Sequence, residues 1–208
     1  MTTHTEARTV SNRPLLDSRS IALVGVMGAL GNALFAVSQS IFQYGQITLD
    51  LSHMGTIIGG IYGGPLIGLL SGALVGLGPG LYYGFLTPVG GLGILGLWGL
   101  PFGKALTGLS IGLLASIIRR RRSRMRFYEV VAAVMLGYVP EAIYTVFFFR
   151  VLVFLFLPSS SAAYMSTLVV PILAKGSIEM GIMSFFTSSL TGNVGFSQFV
   201  ERFIPRKV

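Results

Sequence analysis

Ionisable side chains stand in this sequence where water is scarce. Asp50 and His53 open one apolar stretch, Lys104 lies inside another, Glu141 and Arg150 share a third, and Lys175 and Glu179 lie in the last. A charge inside an apolar helix is costly, so each is a candidate for binding a polar ligand. Lys104, Arg150 and Lys175 together suit a carboxylate or phosphate; Glu141 and Glu179 at similar depth oppose that reading. Plainer roles compete. Lys175 and Glu179, four apart, can neutralise each other, and Glu141 can do the same for Lys104. Asp50 suits a helix cap before Leu51-Ser52-His53, and Arg150 can snorkel outwards.

Tyr82, Tyr83 and Trp98 fall near the ends of apolar stretches, beside glycine-rich segments. There they either join an interfacial aromatic belt or stack on a flat ligand. The Thr87-Pro-Val-Gly-Gly-Leu-Gly93 segment has the glycines for a closing loop and equally for a plain turn. Catalysis finds little support. The chain has no cysteine and two histidines, which show no metal spacing, and no serine motif accompanies Asp50 and His53. No catalytic residue, metal ligand or cofactor is expected.

The elements that hold these groups must sit in a bilayer. Of the 208 residues, 52% are hydrophobic and 11% charged, against about 25% charged in a soluble domain; mean hydropathy is +0.76. Apolar stretches fall at about 21–42, 51–64, 65–86, 92–118, 127–157 and 164–190. The second is short for a span and meets the third at Gly63-Gly64-Pro65, a turn signal. Pro140 is expected to kink the fifth. The net charge of +8 is concentrated in the polar tails and in Arg119-Arg-Arg-Arg-Ser-Arg-Met-Arg126. The alternate connections near 43–49, 87–91 and 158–163 have no Lys or Arg. That is the pattern of cytoplasmic loops, not of a nucleic-acid-binding face.

The expectation is therefore an all-α integral membrane bundle of six transmembrane helices with both termini cytoplasmic. A cytoplasmic tail covers residues 1–19, the membrane domain 20–190 and a second tail 191–208. Counting about 1.5 Å per residue from the external ends puts the ionisable groups in the outer and middle layers. That layering suggests a polar pocket opening outwards. In the first helix Gly25, Ala29 and Ala33 recur every four residues on one face, where another helix can approach closely. Packing within the bundle and docking of a partner both use such a stripe.

Two segments carry a family resemblance. Ser20-Ile-Ala-Leu-Val-Gly-Val-Met-Gly-Ala29-Leu-Gly-Asn-Ala33 looks like the first helix, with its Ala-x-x-x-Ala signature, of the substrate-binding S components of energy-coupling factor (ECF) transporters. Ile47-Thr-Leu-Asp-Leu-Ser52-His, with Gly59-Gly-Ile-Tyr-Gly-Gly-Pro65-Leu-Ile-Gly68-Leu-Leu-Ser-Gly72, is similar to a stretch of several members. The resemblance implies a vitamin or related micronutrient held in an externally facing pocket, with Asp50, His53, Tyr82, Tyr83, Trp98, Lys104, Arg150, Lys175 and Glu179 as the candidate site. It implies docking through Ala29 and Ala33, with Gly25 on the same face, onto a transmembrane coupling subunit driven by two cytoplasmic ATPases. The chain itself has no phosphate-binding loop, so ATP chemistry belongs to partners. Thr87-Pro-Val-Gly90 resembles a loop of riboflavin-type members, which continue with Glu and Asn where this chain has Gly91 and Leu92. The other classes are a structural or assembly membrane protein, a stand-alone channel or secondary carrier and, last, a membrane enzyme.

Overall fold

A computed structural model describes residues 16–41, 43–44, 47–86, 91–121 and 124–202. Helix α1 (Ser18–Ile41) starts at Asp17, whose Oδ1 accepts the Ser20 N–H at 2.9 Å as an N-cap. A two-residue antiparallel ladder, β1 (Gln43–Tyr44) with β2 (Ile47–Thr48), turns the chain back towards α2 (His53–Gly63). Gly64, at φ +83°, makes the junction to α3 (Pro65–Leu81), a backbone region that favours glycine. There follow α4 (Ile94–Arg121), α5 (Phe127–Phe147), α6 (Val153–Phe156), α7 (Ser159–Thr167), α8 (Val169–Gly192) and α9 (Val194–Glu201).

Among the described residues the fold is all-helical apart from that short ladder, and five helical runs are long and apolar enough to cross a bilayer: Ser18–Ile41, Pro65–Leu86, Ile94–Arg121, Phe127–Phe156 and Val169–Gly192. The second of the six expected spans differs. Helix α2 has 11 residues, a rise of roughly 16 Å against a hydrocarbon core of about 30 Å. Nearly all of it is buried, packed among α1, α3, α4 and α8. A helix apolar all round is a core element, and hydropathy does not separate a core helix from a lipid-facing one. The connection expected at 158–163 is also different, because α7 begins there behind Pro158, whose preset φ suits a helix start. The chain stays helical through Pro140.

Helices α3 and α4 make the closest pair. Gly64, Gly68, Gly72, Gly76, Gly80 and Gly84 recur every four residues, so they form one file along α3. A Cβ at Gly68 would run into the Gly108 carbonyl, one at Gly72 into the Lys104 carbonyl and one at Gly76 into Pro101. This backbone-to-backbone contact is what small residues permit in lipid. Asn32 joins α1 to the same helix. Its Nδ2 donates to the Gly28 and Leu74 carbonyls, both at 2.9 Å, and its Oδ1 accepts the Gly78 N–H at 2.7 Å. The turn before Pro79 is thus satisfied from a neighbouring helix.

The packing differs between the two ends. Towards the Arg119–Arg121 end an aliphatic core of Leu23, Ile57, Ile61, Ile111, Val134 and Met183 is continuous. Arg119 lies over the Tyr62 ring at 5.2 Å, and the Tyr62 hydroxyl bonds Ser197 of α9 at 2.8 Å. The opposite end is looser and rich in aromatic residues. Two π-helical turns, Tyr82–Leu86 after Pro79 and Phe148–Leu152 after α5, lie there.

Gly68→Val should destabilise the purified protein by about 1–3 kcal/mol, because the Gly108 backbone cannot yield to the new side chain. Gly181→Ala should be neutral or slightly stabilising, since nothing lies within 4 Å of a Cβ there. Thermal melts of the two variants in one detergent check both.

Candidate functional site

The aromatic end encloses a cavity of about 820 Å³, within the usual range for small-molecule sites. Its walls come from every long helix. Gln39 ends α1, Tyr82 and Tyr83 stand on the first π turn, Tyr138 and Tyr144 on α5, Phe148 and Phe149 on the second π turn, and Tyr164 and Met165 on α7. The rings meet edge-on or tilted: Tyr82 with Tyr83 at 5.1 Å, Tyr144 with Phe148 at 5.8 Å and Phe148 with Phe149 at 5.2 Å. Gln39 Nε2 donates to the Tyr83 hydroxyl at 3.2 Å and its Oε1 accepts from Thr48 at 3.2 Å. These bonds tie the end of α1 and β2 to the aromatic wall.

The floor is charged. Lys104 Nζ meets Asp50 Oδ2 at 3.2 Å and donates to Ser52 Oγ at 2.8 Å, while Asp50 Oδ1 accepts the Ser52 N–H at 2.8 Å. The Asp50 N–H donates to Glu179, and Lys175 Nζ lies 3.4 Å from Glu179 Oε1. One chain of contacts therefore links α4, the connection before α2, and α8. Lys104, Asp50 and Glu179 are all buried, and a buried charge is tolerable only with its partner present. Glu141 has its own surroundings: the Thr107 hydroxyl donates to it, and His53 Nε2 lies 3.5 Å from Oε1. Among the described residues, His53 Nδ1 and the Tyr144 hydroxyl are buried without a hydrogen-bond partner, and both residues line the cavity.

Asp50, His53, Tyr82, Tyr83, Lys104, Lys175 and Glu179 are brought together around this space. Trp98 and Arg150 are not. Trp98 is 44% exposed on the outer side of α4, edge-on to Phe148 at 6.5 Å, and Arg150 is exposed on the second π turn. Neither lines the cavity, since one step along a helix turns a side chain by about 100°, away from Gly99 and Phe149, which do. The expected pairing of Glu141 with Lys104 is replaced by Lys104 with Asp50 and Glu141 with His53. Asp50 holds the Ser52 N–H beside α2, although Ser52 occupies the cap position. Sequence reasoning placed Glu141 at depth but left it out of the site, and passed over the rest of its face. Tyr138, Glu141, Thr145 and Phe148 recur at three- and four-residue steps in α5, a polar and aromatic stripe in an apolar run that was the available signal. Residues 87–90, most of the candidate closing loop, lie outside the described residues.

Comparison with known proteins adds one match. The family model described as ECF transporter, substrate-specific component, matches residues 19–191, from α1 almost to the end of α8. No curated protein and no solved structure matches the chain. The match and the five apolar helices make the chain an integral membrane protein.

Lys104→Met should cost about 3–5 kcal/mol, because Asp50 is left buried without its cation. Asp50→Asn added to Lys104→Met should recover part of that loss. Thermal unfolding of both single variants and the double variant checks the pair; losses that simply add in the double variant would mean that the charges do not interact.

Proposed function

The chain belongs to the substrate-specific components of ECF transporters, and from that membership we propose that it captures a vitamin or related micronutrient outside the cell. The ligand enters the cavity floored by Asp50, His53, Lys104, Lys175 and Glu179 and walled by Tyr82 and Tyr83. The chain then docks on a transmembrane coupling subunit served by two cytoplasmic ATPases, and the ligand is released inside. The cavity is the observation that carries this reading: about 820 Å³ of space ringed by aromatic and charged side chains. A helix bundle serving only as a structural partner has no use for such a space.

Orientation in the cell membrane follows the basic residues. From Asp50 at the cavity the chain returns through α2 to Gly64 beside Ser116, near the Arg119 end. This sixth crossing lets the Arg119–Arg126 segment and both tails lie in the cytoplasm; the cavity, at the other end of the bundle, then opens outwards. Docking follows from the face that α1 leaves unused. Gly25, Ala29 and Ala33 are exposed, while Leu23, Val24, Met27 and Gly28 are buried against the bundle. A file of small residues turned away from the bundle suits the close approach of a partner's helix.

Replacing Ala29 or Ala33 with Leu should cut uptake roughly tenfold or more, by blocking close helix contact, and should leave ligand affinity unchanged. Uptake into cells or vesicles containing the coupling subunit and ATPases, beside binding to the isolated chain, separates the two. A fall in affinity with the complex still assembled would return the stripe to internal packing.

A further inference from the structure

With His53 neutral, the charges around the cavity do not balance, and the imbalance bears on the ligand. Among the described lining residues, Asp50, Glu141 and Glu179 are carboxylates, and Lys104 and Lys175 are the ammonium groups. Both ammonium groups are committed, Lys104 to Asp50 at 3.2 Å and Lys175 to Glu179 at 3.4 Å. Arg150, which with them suggested an anionic ligand, does not line the cavity. Glu141 is the remaining acid. Its contacts are a threonine hydroxyl and the His53 imidazole, donors of no fixed charge.

One orphaned polar atom belongs to the residue that meets that acid, and a second lies elsewhere on the cavity lining. With His53 donating from Nε2 to Glu141, the neutral ring presents its Nδ1 lone pair as an acceptor. That atom is buried and without a partner, as is the Tyr144 hydroxyl, and His53 is 5% exposed. An unmet buried polar atom costs about 1–3 kcal/mol, a cost that a ligand's N–H removes. Glu141 and Nδ1 both accept, Tyr144 can donate, and the surrounding rings offer flat surfaces.

We infer that the ligand presents a planar, N–H-donating nitrogen group, cationic or neutral and free of carboxylate and phosphate, to Glu141 and His53. This rests on the cavity being the ligand site. An anionic group would add negative charge to a site whose three carboxylates already outnumber its two ammonium groups, in a medium of low dielectric where like charges repel strongly. A cation or a polarised N–H supplies what Glu141 lacks. Nitrogen heterocycles with amino or amidine-like edges have this chemistry.

Benzamidine, benzamide and benzoate test the inference, since they share one shape and differ in charge. Each is titrated into the full chain in lipid nanodiscs, and binding is read as a rise in Tm. Benzamidine should bind most tightly, at least tenfold better than benzoate, with benzamide between. Glu141→Gln should weaken benzamidine at least tenfold and benzamide by a smaller factor. Gly103→Leu, whose Cβ has ordinary room beside Tyr144 and Glu141 at 3.4–3.6 Å, should occupy the space in front of Glu141 and abolish binding of every probe that seats there. Benzoate binding as tightly as benzamidine, with that binding lost in Gly103→Leu, overturns the charge inference and leaves the cavity as the site. Probe binding that persists in Gly103→Leu, or no binding of any probe to the wild type, overturns the cavity reading and this inference with it.

Discussion

Charge buried in a medium of low dielectric must be answered by charge or hydrogen bonds close by, and in this molecule that requirement organises one whole end of the bundle. Lys104 on α4 is buried, and its answer comes from Asp50, in the connection before α2. Asp50 in turn donates its N–H to Glu179, which also holds Lys175. The Lys104–Asp50 and Asp50–Glu179 contacts join elements distant in sequence, so the charges fix where α4, α8 and the start of α2 stand relative to one another. Removing a single member leaves another unanswered, which makes the group cooperative rather than a sum of pairs.

The glycine file makes that arrangement possible. Lys104 can reach Asp50 only because α4 lies against α3 at backbone distance, and its own carbonyl occupies the space that a Cβ at Gly72 would need. Below the charged floor an aliphatic core is continuous; above it, α3 and the start of α4 stay in glycine contact as far as Gly84, while large rings from the other helices stand around the cavity. The ionic layer is the boundary between the two halves. The aromatic wall can accept a flat molecule because the cavity lies between its rings.

Much of this was legible in the sequence. Apolar length located the five long spans, since 20 or so apolar residues have few other uses. The cost of intramembrane charge pointed to Asp50, Lys104, Lys175 and Glu179 before any geometry was known. The small-residue file of α1 was visible from spacing alone, although spacing could not say which way it faced. What stayed hidden depends on tertiary contact. Hydropathy could not tell that α2 is a short core helix, because lipid and protein interior are equally apolar. Depth along a helix is read from sequence, but azimuth is not, and so Trp98 and Arg150 stand at the right height on the wrong side. Partner choice among buried charges was likewise out of reach: Glu141 and Asp50 are both within plausible range of Lys104 until the α1–α2 connection is placed. The π turns carry no sequence signal strong enough to foresee.

The account stands on the cavity holding a small molecule. Its most direct measurement is mass spectrometry of the molecules extracted from the chain purified alone, in folded form, from membranes. One compound at about one per chain, with a planar nitrogen-bearing ring system, is the result the account predicts. Folded protein that carries no such compound, and that gains none when offered the small molecules of a rich growth medium, would contradict it.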